Sequence, residues 1–115
     1  MATAEDHKKQ ALHNERFLTT IDTTEYPDWA ATAIFYAAVH RVQMLFETCG
    51  GAGGNHHRRN NTLRAQYPDV WKQYQPLYTF SRLSRYRCME TKPEHVPYLQ
   101  RRYGRVIREI DEHMP

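Results

Sequence analysis

The chain has 115 residues, of which 40% are hydrophobic, 25% charged and 12% aromatic. That length holds one hydrophobic core, and the composition excludes disordered, collagen-like and low-complexity classes. No run of about 18 apolar residues is present, which excludes a membrane-spanning helix and predicts no membrane partner.

The opening Met1-Ala2-Thr3-Ala4-Glu5-Asp6 is acidic and has no apolar stretch, so a secretory leader is not expected. The two cysteines, Cys49 and Cys88, lie far apart without C-x-x-C spacing. That argues against a zinc site or a disulfide framework, and a reduced, cytoplasmic protein is expected. The net charge of +3 conceals an uneven distribution. Residues 1–55 hold four basic and seven acidic groups, a net of −3. Residues 56–108 hold twelve basic and three acidic groups, a net of +9, and the last seven residues return to −3. Ten of the twelve arginines fall in the basic segment. Arginine's planar fork suits phosphate, carboxylate and aromatic faces, so this segment reads either as a solvated basic face or as a nucleic-acid surface.

Hydrophobic spacing predicts helices nearly throughout. A first helix spans Ala4 to about Thr20, with Ala11, Leu12, Phe17, Leu18 and Ile21 on one stripe. Pro27 interrupts the chain, and Asp28 is an expected N-cap for a second helix from Trp29 to about Thr48. That helix is apolar almost all round, so it should be central, and its alanines make it the expected seat of self-association. Gly50-Gly51-Ala52-Gly53-Gly54 opens a segment to Asn61 that reads as a mobile loop. It is not a phosphate-binding P-loop, since no strand precedes it and no G-K-[ST] follows. Thr62 to Gln66 forms a helical turn. A third main helix runs from Asp69 to Cys88, kinked or restarted at Pro76, with Val70, Tyr74, Leu77, Ser81, Arg85 and Cys88 among its stripe. A last helix, opened by Pro97, runs from Tyr98 to about His113 on Leu99, Tyr103, Val106, Ile107 and Ile110. The fold expected is a single all-α domain over residues 1–115, a bundle with four main helices.

Four groups of residues carry possible chemistry. His40 lies deep in the apolar second helix, where its ring needs a partner; it is either a satisfied core histidine or part of a polar site. His56-His57-Arg58-Arg59 combines acid–base groups with cations, and no ligand spacing points to a metal. Arg82 and Arg85 are neighbours on a helix surface, and Arg85 on the apolar stripe calls for a carboxylate, Asp28 being one, or a polar cleft. Finally, Arg108 and His113 stand in an R-x4-H spacing, and Arg101, Arg102, Arg105 and Arg108 form a basic ridge suited to phosphates. No catalytic triad order, dinucleotide fingerprint, EF-hand or H-E-x-x-H motif is present.

Taken in order, His13-Asn14-Glu15-Arg16-Phe17-Leu18, Tyr26-Pro27-Asp28-Trp29, Phe35-Tyr36-Ala37-Ala38-Val39-His40, His57 with Arg59, and Tyr74-x-x-Leu77 leading to Ser81-Arg82-x-x-Arg85-Tyr86 resemble the HEPN superfamily of prokaryotic helical domains. The resemblance covers roughly residues 7–88. It implies an up-and-down bundle of four to five helices that forms a homodimer. Many relatives are metal-independent endoribonucleases of toxin–antitoxin, phage-defence or CRISPR-associated systems, with an R-x4-6-H motif from each protomer; others are binding or scaffolding domains. Arg108 and His113 are the pair at that spacing here, with Glu109 where the motif carries a small polar residue or a histidine.

The expectation is therefore RNA binding or cleavage without a metal or other cofactor. The catalytic candidates are His40, His57, Arg82, Arg85, Arg108 and His113, and the RNA contacts Arg58, Arg59, Arg101, Arg102 and Arg105. His40, His57, Arg82 and Arg85 would meet if segment 50–61 folded over the central helix. The alternatives are a non-catalytic interaction domain docking an antitoxin or other acidic protein, and a nucleotide-binding bundle.

Overall fold

A computed structural model describes residues 2–86 and 89–115. Among them the secondary structure is helical: α1 (Ala4–Thr20), α2 (Pro27–Cys49), α3 (His56–Gln66), α4 (Pro68–Tyr86) and α5 (His95–His113). The all-helical bundle expected from the spacing is what forms, with α3 a fifth full helix rather than a loop and a turn.

Each boundary has a local cause. Thr3 and Asp6 cap α1 reciprocally, each side chain accepting from the other's backbone N–H. Pro27 starts α2 instead of ending a segment: it sits in the first turn, where a missing N–H costs nothing. Asp28 accordingly lies inside that turn, not at the cap, which is Tyr26. Asn55 caps α3 by accepting from the Arg58 N–H at 2.8 Å, and this draws His56 to Asn61 out of the expected loop and into a helix. Helix α4 runs through Pro76, and α5 begins two residues before Pro97. Cys88, placed by the spacing at the end of α4, lies outside the described residues.

Helix α2 is central, packed by α1, α5 and α4, while α3 lies along α4. Thirteen of its residues are buried, including Ile34, Phe35, Leu45 and Phe46. Most of its apolar surface is thus spent within the protomer. Val70, Tyr74 and Leu77 from α4 and Leu99, Val106 and Ile110 from α5 complete the core. Outward apolar surface remains at Phe17 of α1, at Tyr26 and at Trp29 in the first turn of α2, which are 50%, 52% and 57% exposed. Phe17 and Leu12 of the α1 stripe face solvent, against expectation, and Ala11 and Leu18 turn inward.

The glycine segment is short and held down. The Thr62 hydroxyl donates to the Ala52 carbonyl at 2.7 Å, and the Tyr67 hydroxyl to that of Gly50 at 2.6 Å. Gly51, at φ +142°, lies against the Phe46 ring, where a Cβ would come within 2.7 Å of a ring carbon. Glycine is required there both by conformation and by space.

Candidate functional site: a cationic, aromatic groove beside α4

Residues Trp71, Gln75, Tyr78, Arg82 and Arg85 follow at steps of three and four along α4, so they form one stripe. The inward side of the helix is anchored by Val70, Tyr74, Leu77 and Ser81, all buried. The stripe faces α3 at one end and the start of α2 at the other, and three clefts open along it. The first, of about 520 Å³, is lined by His56, His57, Asn60 and Arg64 from α3 and by Trp71, Tyr78 and Arg82 among the α4 residues. The second is a narrow neck between Phe35, His56, Tyr78, Arg82 and Arg85. The third, of about 400 Å³, lies between Asp28, Trp29, Thr32 and Tyr36 of α2 and Ser84 and Arg85. Because His56, Tyr78 and Arg82 line the first two and Arg85 the last two, the clefts join into one groove. Asp28 is the one carboxylate among the described lining residues.

His56 sits at the neck. Its ring is 5.6 Å from that of Phe35 and 5.8 Å from that of Tyr78. The Arg59 Nη1 lies 3.0 Å from its Nδ1. Arginine can only donate, so Nδ1 accepts and a neutral ring carries its proton on Nε2. Burial, followed by the charges of Arg59, Arg85 and Arg82, lowers the pKa of His56 from its ordinary value. The group is therefore a neutral imidazole at neutral pH, offering an N–H among arginines.

Arg59 is buried, 6% exposed, and is held by a second bond from Nε to the Gln43 Oε1 at 3.0 Å. It belongs to the support of the groove rather than to its surface. The neighbouring Asn60 is also buried, and its Oδ1 has no hydrogen-bond partner. Tyr74, fully buried behind it, has a hydroxyl with no bond of good geometry; burial pushes its phenol pKa up, and the charge of Arg59 partly offsets this. At the far end Arg85 donates to the Tyr36 hydroxyl at 2.8 Å and lies 5.2 Å over its ring. Arg85, expected on the apolar stripe of α4, is instead exposed at the edge of the third cleft.

The remaining candidates are dispersed. His57 stands on the rim of the first cleft, exposed, with Asn61 Nδ2 at 3.2 Å from its Nε2. His40 does not line the groove. It shares the α2 stripe of Tyr36 and Gln43, and its Nδ1 meets that of His7 on α1 at 3.0 Å. Burial, then His7 and Arg59, lowers its pKa from the ordinary value. So His57, Arg82 and Arg85 of the expected set share one groove, while His40 is behind it.

His113 is at the opposite end of α4. Its Nε2 pairs with Asp69 Oδ2 at 2.8 Å, its ring stands edge-on to Tyr67 at 5.0 Å, and its carbonyl accepts from the Cys49 thiol. Thirteen residues of helix separate Asp69 from Arg82, about 20 Å. A step of five residues also turns Arg108 away from the His113 face, and Arg108 is exposed. Arg101 and Arg105 are exposed on the same outward side. Arg102 donates to Gln73 at 2.8 Å, half a turn round α4 from the groove stripe. Arg58 points outward at the start of α3.

Sequence reasoning named the His56-His57 pair but selected His57. The signal that separates them is the cap: with Asn55 as N-cap, the pattern His56, Arg59, Leu63 becomes one inward face. Among the described residues no three His, Cys, Asp or Glu side chains stand close enough to hold a metal, and no helix is long and apolar enough to cross a membrane. No family model, no curated protein and no solved structure matches this chain.

Proposed function

We propose that this chain is a HEPN-like RNA-binding domain of a prokaryotic toxin–antitoxin or phage-defence system, with the α3–α4 groove as its phosphate site. One observation carries the reading: a neutral imidazole N–H is held among arginines in a groove with a single carboxylate among its described lining residues. A phosphodiester offers anionic oxygens that such donors bind. Hydrogen bonds from a charged or pre-oriented donor to phosphate are the stronger kind, and neither guanidinium nor neutral imidazole needs a metal to make them. The resemblance in the Tyr36-to-His40 and Ser81-to-Tyr86 segments supports the same class.

A second reading, cleavage, is favoured by His57 on the rim of the same cleft as Arg82. In that chemistry a base takes the proton of a ribose 2′-OH and the oxygen attacks phosphorus. The P–O5′ bond breaks with the 5′-oxygen taking a proton from water, whose hydroxide is neutralised by the protonated base, while cations hold the crowded phosphate. His56 is a poor base, because its Nδ1 lone pair is engaged by Arg59. His57 is the base in this reading, and His56 and Arg82 hold the phosphate. Incubating RNA with the purified protein in EDTA tests both readings. Cleavage lost in His57→Ala and retained in His113→Ala supports catalysis in the groove. Binding without cleavage leaves the domain a binder, and absence of both overturns the proposal. Dimerisation, part of the same resemblance, would use the Phe17–Tyr26 patch, and light scattering of wild type against Phe17→Glu tests it.

A further inference from the structure

The three joined clefts have an order that a single phosphate does not use. Proceeding from the end of α3 towards the start of α2, the lining alternates between flat rings and cations. Trp71 carries the Arg64 guanidinium 4.9 Å over its ring, Tyr78 has Arg82 Nη1 at 3.4 Å from its hydroxyl, and Tyr36 has Arg85 above it. Trp29 closes the series with an exposed indole. The α4 part alone, from Trp71 to Arg85, is fourteen residues and so about 21 Å long, which is long enough for several consecutive nucleotides. The neck at His56 and Tyr78 holds only about 10 Å³, room for a water, so a strand crosses over it on its open side with the bordering arginines beneath.

On this basis, and resting on the RNA-binding reading above, we infer that the groove is a track for single-stranded RNA, with its phosphates along Arg64, Arg82 and Arg85 and a base stacked on Trp29. Alternating cations and π-faces are what sequence-tolerant single-strand binding requires: the backbone follows the positive charges, and each base finds a ring irrespective of its identity. Asp28 fixes the polarity of the assignment. A carboxylate beside Trp29 repels a phosphate there, so that end takes a base, and the phosphates lie on the side of Arg85 away from it. The exposure of Trp29 has no explanation in the core, which it does not enter.

The two tryptophans of the chain stand at opposite ends of this track, which makes each a reporter of one end. Trp29→Phe leaves Trp71 as the sole indole, and Trp71→Phe leaves Trp29. Each variant is titrated to saturation with an oligouridylate of about eight nucleotides and with a blunt RNA duplex, binding being followed independently by anisotropy of a labelled strand. The track predicts that the single strand quenches the indole in both variants, that the duplex quenches neither, and that Trp29→Ala weakens single-strand binding roughly tenfold. Salt-sensitive binding of the single strand with either indole unaltered overturns the track and leaves the RNA reading standing. Equal quenching by the duplex overturns single-strand selection. Absence of binding in the wild-type protein overturns both.

Discussion

Arg59 and His56 meet across 3.0 Å, one turn apart on α3, and the contact fixes which nitrogen of His56 carries the proton. It also shows how the groove is built. The buried guanidinium is braced by Gln43 on α2, so the orientation of His56 is set through two helices by side chains that do not themselves face a ligand. The pH behaviour of the fold follows from the burial of His56 and His40, with nearby cations adding to it.

His56 and His40 both hold their proton more weakly when folded than when unfolded, where the ordinary value is 6.5. Between that value and the lower folded one, the unfolded chain binds more protons, so stability falls as pH drops through this window and is fully present above it. Thermal denaturation of wild type at about pH 8 and about pH 5 is expected to show a larger loss than in His56→Asn or His40→Asn. An equal loss in all three proteins would show that neither ring is held neutral by the fold.

Glu15, Arg41 and Tyr103 tie α1, α2 and α5 together. Arg41 Nη2 reaches Glu15 Oε2 at 2.7 Å, Arg41 Nε reaches the Tyr103 hydroxyl at 3.3 Å, and that hydroxyl donates to Glu15 in turn. Removing the carboxylate leaves a guanidinium and a phenol without their acceptor in a largely buried position. Glu15→Ala is expected to cost about 2 kcal/mol in urea unfolding, where an exposed pair would cost well under 1.

Gly51→Ala is expected to destabilise the protein by about 2 kcal/mol, since it adds strain at a positive φ to a collision with the Phe46 ring. Gly53→Ala meets only the end of the Gln43 side chain. It should cost less stability, yet loosen Arg59 by displacing Gln43. Thermal denaturation reads the first effect, and the titration of His56 by NMR reads the second.

The helical pairing of apolar residues was legible because burial imposes it: Leu99, Tyr103, Val106 and Ile110 are core residues as their spacing predicts. The α1 stripe was less so, because Leu12 and Phe17 are apolar without being inward. The glycine run concealed the start of α3, since composition registers flexibility while the hydrogen bonds of Asn55, Thr62 and Tyr67 remove it. Arg82 and Arg85 could be read as helix neighbours, but their approach to His56 depends on how α3 settles against α4. No spacing along the chain records that. The Arg108–His113 spacing, in turn, is a regularity of one helix whose two side chains face different ways.

His113 and Asp69 make a partly exposed side-chain hydrogen bond joining α5 to α4. His113→Ala is expected to lower stability by about 0.5 kcal/mol and to leave RNA binding unaltered. A large loss of binding with the fold intact would move the site to the end of α5.

The most direct measurement of the central claim is the salt dependence of RNA binding. Anisotropy of a labelled oligouridylate is followed from low to high salt for wild type, Arg82→Ala, Arg85→Ala and Arg101→Ala. The account predicts that each groove variant binds more weakly and flattens the plot of log affinity against log salt by about 0.7, one phosphate contact apiece, while Arg101→Ala keeps the wild-type slope. A slope unchanged in both groove variants, or reduced only in Arg101→Ala, would contradict it and place the phosphates on the outer face of α5.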